Sequence, residues 1–244
     1  MEMNPNNIIG FNEDDTAWIS KTIPYIMFDF FEYVNSNGVI YPFTKVIEKY
    51  NNLKIICTSK WKFDEQFGEY NSETNEISIS STCDSDEVIP TIVHEFLHFL
   101  THGIKTNTRP RSYYSIDEVI TEYITGIIMF RLFRVERHTN GIMGINTNDK
   151  VFDMLQNKCG ESPLLQAYVE QDDWHYEKIL GIDILEKLQT FYEYIENFDD
   201  KYRGTSDIKK RLETDLKFEK EKLDMMFAEF EKSCEGTTKE TKKF

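Results

Sequence analysis

The feature that most restricts what this chain can become is the pentapeptide His94-Glu95-Phe96-Leu97-His98, set in a strongly apolar run from Ile89 to Leu100. On an α-helix the two histidines lie one turn apart on one face. Their imidazoles can then reach a single Zn²⁺, with Glu95 beside them as a general base. A helix accounts for the neighbours as well. At about 100° per residue, Ile92, Val93, Phe96, Leu97, Phe99 and Leu100 cover one broad side, while Thr91, His94, Glu95, His98 and His102 collect on the other. The acidic run Asp84 to Glu87 suits the positive end of such a helix, Pro90 fits only near a first turn, and Gly103 is a natural stop. A buried helix with a narrow polar stripe turns that stripe toward a cleft.

With five His and many Glu in 244 residues, an H-E-x-x-H string also arises by chance, so a third ligand has to be sought. His102 keeps the spacing of four, yet it lies roughly 12 Å along the axis from His94, too far for two bonds of about 2 Å to one ion. Cys83 precedes the helix, but its spacing does not commit it to a metal. Glu118 stands in Ser115-Ile116-Asp117-Glu118-Val119-Ile120-Thr121-Glu122-Tyr123, a second helical segment. Its apolar face runs through Ile116, Val119, Ile120, Tyr123, Ile124, Ile127 and Ile128, with Glu118 and Glu122 as i,i+4 neighbours opposite. Ser115-x-x-Glu118 also reads as a capping box, and two glutamates on a polar face are often merely solvated.

The pairing of His94-Glu95-x-x-His98 with a second helix beginning Asp117-Glu118-x-x-Thr121-Glu122-Tyr123 resembles the gluzincin group of zincin metallopeptidases. Nineteen residues, 99 to 117, separate His98 from Glu118, a short connection of the kind found in that group. The stretch Gly68-Glu69-Tyr70-Asn71-Ser72-Glu73-Thr74-Asn75-Glu76-Ile77-Ser78-Ile79-Ser80 resembles the strand that borders the zincin cleft. The resemblance covers about residues 52 to 134. It implies that His94, His98 and Glu118 bind one Zn²⁺, that Glu95 is the base, and that Glu122 accepts a hydrogen bond from a ligating histidine and fixes its tautomer. Relatives add a Tyr or His from the second lobe to stabilise the oxyanion, for which Tyr168, His175 and Tyr176 are the candidates here; each also reads as ordinary aromatic packing. Val119 departs from the small residue that many relatives carry after the third ligand.

On that resemblance the chain is a zinc metallopeptidase acting on a peptide or protein substrate: two neutral imidazoles and one carboxylate leave the metal a net charge and an open position for water, whose pKa falls toward about 7. Glu95 takes that water's proton and passes it to the leaving amine. The alternative is a catalytically silent, zincin-like zinc-binding regulatory or interaction protein. An intact Glu95 favours the enzyme, because a structural site has no use for a base.

Composition bounds the remainder. A chain of 244 residues with 40% apolar and 14% aromatic residues can bury a large core. The formal net charge of -15 repels nucleic acid and anionic membranes, so neither is an expected partner. No basic segment followed by an apolar one opens the chain, and no stretch approaches the roughly 18 apolar residues of a membrane span. Cys57, Cys83, Cys159 and Cys234 are scattered, so a reducing, cytoplasmic setting is expected. Nothing in the sequence sets an oligomeric state.

In chain order, 15–35 and 42–50 read as helices and 53–58 as a strand. A polar stretch bearing Trp61, Phe63 and Phe67 follows; Gly68 precedes a turn, and 76–80 alternates like a half-exposed edge strand able to take an extended peptide. Residues 134–148 read as a loop or lobe boundary, and 149–158, 163–169, 174–198 and 206–235 as helices. In the last, Ile208, Leu212, Leu216, Leu223, Phe227 and Phe230 form a stripe that packs on the body. The expected fold is therefore α+β and zincin-like: an N-terminal lobe over 1–134 with a small mixed or antiparallel sheet, a helical lobe over 135–235, and a frayed tail over 236–244.

Overall fold

The structure, a computed structural model, describes residues 2–59, 67–83, 85–102, 114–135, 147–171, 173–202 and 209–235. They form an α+β fold in which helices dominate and one mixed four-stranded sheet is built from β1 (Ile8–Ile9), β2 (Lys54–Thr58), β3 (Gly68–Asn71) and β4 (Glu76–Ser80). The helices are α1 (Glu13–Ser36), α2 (Phe43–Tyr50), α3 (Ser85–His102), α4 (Tyr114–Ile128), α5 (Thr147–Cys159), α6 (Glu161–Glu170), α7 (Asp173–Leu180), α8 (Ile182–Tyr202) and α9 (Lys209–Glu235). Among the described residues no helix is long and apolar enough to cross a membrane. Two compact units result. One comprises Met1–Arg109, Thr121–Arg137 and Tyr168–Gln171; the other comprises Pro110–Ile120, His138–Ala167 and Asp172–Phe244. Helix α4 passes through both as one continuous element.

In the first unit the sheet order is β1-β2-β4-β3, with β1, β2 and β4 parallel and β3 antiparallel to β4. The register sets Gly68 opposite Ile79, Tyr70 opposite Ile77, and Ile55 beside Ile77. Alternation then brings these residues to one face of the sheet, and α3 packs against β3 and β4 there. Ile55, Ile77 and Ile79 on the sheet and Val93, Phe96, Leu97 and Leu100 on α3 are all buried, each such side chain contributing about 1.5–3 kcal/mol. Tyr70 meets Phe99 edge-on at 5.7 Å. This packing fixes which face of α3 is apolar and, by exclusion, where its histidines point.

The order of strands corrects one expectation. Glu76–Ser80 is not an edge strand, because β2 lies on one side of it and β3 on the other. The reason is that the residues after Gly68, read as the approach to a turn, extend as β3 and turn only at Ser72–Asn75 to pair back on β4. Among the described residues the edges are β3 and, on the far side, β1.

Helix α1 begins where the Asn12 side chain accepts from the Asp15 amide at 2.8 Å, with three acids in its first turn. It runs on through Pro24, which cannot donate to the Ser20 carbonyl one turn back. The Met3 amide takes that carbonyl at 3.0 Å, and the Ser20 hydroxyl donates to the Met3 carbonyl at 2.6 Å. The segment before β1 thus repairs the bond that proline removes. Pro90 also sits deeper than a first turn, since α3 starts at Ser85. The Tyr41 hydroxyl donates to the Leu100 carbonyl near the end of α3, one of the carbonyls a helix terminus leaves open.

In the second unit, α5 to α9 bury Phe152, Leu155, Leu164, Leu165, Leu185, Leu188 and Phe230. Phe191 of α8 packs on Phe227 of α9 with ring centroids 5.8 Å apart, which engages the C-terminal end of the expected stripe; Ile208 and the side chains of Leu212, Leu216 and Leu223 lie outside the described residues. The expected single helix over 174–198 is instead two, α7 and α8, separated at Gly181. There φ is +86°, a left-handed conformation that ends a helix readily at glycine. Burial pushes the Cys159 thiol up to about 12 and that of Cys234 up to about 11, which leaves neither a ready nucleophile at neutral pH. Most of the loop read over 134–148, the tail 236–244, the stretch with Trp61 and Phe63, and Gly103 lie outside the described residues.

Candidate functional site

Helix α3 presents His94 and His98 one turn apart with their Nε2 atoms 3.0 Å from each other and ring centroids 4.7 Å apart. Two nitrogens bound to one tetrahedral ion at about 2.0–2.1 Å would stand about 3.3 Å apart, so the pair is nearly placed for a shared cation. His94 Nδ1 lies 3.0 Å from Glu122 Oε1, both side chains being largely covered.

Glu118 and Glu122 occupy successive turns of α4. Because α4 is one continuous helix, holding Glu122 against His94 carries Glu118 to the same side. One ligand atom from each of His94, His98 and Glu118 lies within 4.8 Å of the other two. Two imidazole nitrogens and one carboxylate oxygen at that separation suit a divalent cation that accepts N and O donors, with coordination positions left open. Cys83 is not of this group; its Sγ sits 3.9 Å from Thr91 Oγ1. For His102 only the backbone, at the end of α3, is among the described residues.

Glu95 follows His94 on α3 and is 8% exposed. The start of β3 shapes its surroundings. A methyl group at Gly68 would stand 2.5 Å from Thr91 Cγ2, 2.8 Å from Glu95 Cγ and 3.1 Å from Glu95 Oε1. Thr91 cannot easily give way, since its hydroxyl donates to the Glu87 carbonyl at 2.7 Å and so fixes its rotamer. Gly68 therefore lets the edge strand pass directly over Glu95, a role the sequence reading did not assign. The available signal was a glycine at the start of an alternating segment, which often marks a close approach of backbone.

Of the three residues considered for oxyanion binding, the two tyrosines carry hydrogen bonds to α4. The Tyr176 hydroxyl donates to Asp117 Oδ1 at 2.9 Å, with both residues buried. Tyr168 shares a hydrogen bond of 2.8 Å with the Thr121 hydroxyl. The His175 ring is 5.7 Å from that of Trp174. The Ser115 hydroxyl donates to Gln189 Oε1 at 2.8 Å. The tyrosine contacts brace the row of α4 formed by Asp117 and Thr121, adjacent to the row formed by Glu118 and Glu122.

No protein-family model, curated protein or solved structure matches this chain.

Proposed function

We propose that this protein is a zinc-dependent peptidase of the gluzincin type. The observation that carries the proposal is the convergence of His94, His98 and Glu118 within 4.8 Å, on helices whose next residues in register are Glu95 and Glu122. Zinc held by this donor set would polarise a substrate carbonyl and make water more acidic, toward a pKa of about 7. Glu122 orients His94 and raises its basicity as a ligand. Glu95 accepts a proton from the attacking water and returns it to the departing amine. The edge strand β3 offers its backbone N–H and C=O groups to an extended peptide beside Glu95, with Gly68 allowing the approach.

The test is elemental analysis of the wild-type protein purified without added metal, followed by hydrolysis of a mixed fluorogenic peptide library. About one zinc per chain is expected. Glu95→Gln should keep that zinc and lose about a hundredfold or more in hydrolysis. Absence of zinc from the wild type, when zinc supplied in excess also fails to bind, would sink the proposal; so would unchanged hydrolysis by Glu95→Gln.

A further inference from the structure

A cavity of about 640 Å³ opens in the first unit, away from the histidines. One wall is a stripe of α1 carrying Tyr25, Phe28, Asp29 and Glu32 at helical spacing; Phe43 of α2 faces it. This stripe flanks the core face of α1, where Ile19, Ile23, Ile26, Phe30 and Val34 are buried. Tyr25 and Phe28 remain 65% and 57% exposed, large rings for surface positions.

The polar groups there are incompletely matched. The Asp29 side chain is 11% exposed, and its Oδ1 lies 3.5 Å from Arg131 Nη1, well beyond the about 2.7–2.9 Å of a charge-assisted bond. Its other oxygen, Oδ2, is buried with no hydrogen-bond partner among the described residues. Arg131 stands over the Tyr33 ring, 5.7 Å from its centroid, and is not part of the cavity wall. Burial holds the Asp29 carboxyl above its ordinary value, against the pull of Arg131 and with the charge of Glu32 adding to the rise. Among the described side chains, two carboxylates stand against one guanidinium, and the wall contains no basic one.

We infer that this cavity binds a primary ammonium carried on a short apolar stem, the chemistry shared by a lysine side chain and a free alkylamine. The ammonium donates to Asp29 Oδ2, where a buried acceptor lacks a donor, and Glu32 supplies the second charge. The faces of Phe28, Tyr25 and Phe43 enclose the stem and attract the cation. A neutral apolar ligand would fill the rings and leave Oδ2 unsatisfied. The inference is independent of the metal centre.

The experiment is calorimetric titration of the full chain with three probes: Nα-acetyl-lysine N-methylamide, n-butylammonium, and Nα-acetyl-norleucine N-methylamide, which keeps the stem without the charge. The two ammonium probes should bind at millimolar concentration and the norleucine derivative should not. Asp29→Asn should weaken ammonium binding about tenfold or more, the loss of one hydrogen bond to a charged group. Glu32→Gln, on the exposed rim, should weaken it several-fold and serves as the second test if Asp29→Asn is misfolded by circular dichroism. Tighter binding of the lysine derivative assigns the site to a peptide side chain, and equal or tighter binding of butylammonium to free amines; both support the inference. Equal binding of lysine and norleucine derivatives, no ammonium binding, or affinities unchanged in both folded variants would overturn it.

Discussion

Two rows of side chains run along α4 within about 100° of each other, and they serve opposite ends. Asp117 and Thr121 are buried and bound to the hydroxyls of Tyr176 and Tyr168 at 2.9 and 2.8 Å. Glu118 and Glu122 are only partly covered and face the histidines of α3, Glu122 at 3.0 Å from His94 and Glu118 among the three converging ligand atoms. Both rows are pairs of polar residues four apart. One is bound to tyrosine hydroxyls of the protein; the other lies beside the histidines, where His94, His98 and Glu118 form a group that could hold a metal ion. Polar residues on a helix therefore divide by what their partners can donate, which the residue types alone do not show.

The comparison is broken most directly by exchanging the loss between rows. Glu118→Ala should reduce bound zinc from about one per chain to a small fraction, and with it the stabilisation that metal gives by mass action. Asp117→Asn, next in sequence, should leave zinc content unchanged. Equal zinc loss in both variants would mean that the rows do not differ, and full zinc in Glu118→Ala would return Glu118 to a solvated helix face.

Gly68→Ala tests the helix on the other side of the site. The added methyl meets Thr91 Cγ2 and Glu95 Cγ at 2.5 and 2.8 Å, so a loss of about 1–3 kcal/mol in unfolding free energy is expected, together with a fall in hydrolysis at retained zinc. Chemical denaturation and zinc analysis on the same preparation would separate the two effects. A change of similar size in stability, with none in hydrolysis through the metal, comes from the anchoring row. Tyr176→Phe removes one donor from the buried Asp117 and should cost about 1–3 kcal/mol without altering metal content.

A third carboxylate sharpens the contrast further. Asp29 lies in neither row, and its carboxyl is held above the ordinary value of 3.8 chiefly by burial, which Arg131 only partly offsets. The native state then holds this proton more tightly than the unfolded chain, so the stability the group contributes is greatest at low pH and falls as pH rises from 3.8 through the raised value. Asp29→Asn should accordingly be more favourable, relative to wild type, at neutral pH than below pH 3.8. Urea unfolding at the two conditions measures this, and an unchanged difference would show that Arg131 compensates the charge fully.

Much of the fold follows from local pattern. The apolar side of α3 is periodic over three turns or more and is buried as the pattern implies, and Phe227 and Phe230 of the expected α9 stripe pack as it requires. Short elements escaped. β1 has two residues and β3 four, too few for alternation to register, and β3 opens with Gly68 and ends at Asn71, residues that read as a turn. The break at Gly181 was similarly hidden, because a lone glycine in an apolar helical pattern is usually tolerated.

At the site, the spacing of four determined from sequence alone that His94 and His98 share a helix face, and likewise Glu118 and Glu122, because helical geometry relates residues so close in the chain without reference to anything else. Packing decided the rest. That β3 rather than β4 forms the sheet edge, that its glycine passes over Glu95, and that Tyr168 and Tyr176 brace Thr121 and Asp117 depend on contacts between segments separated by tens of residues. Such contacts are selected by the burial and hydrogen-bond satisfaction of the whole chain, which no local spacing records.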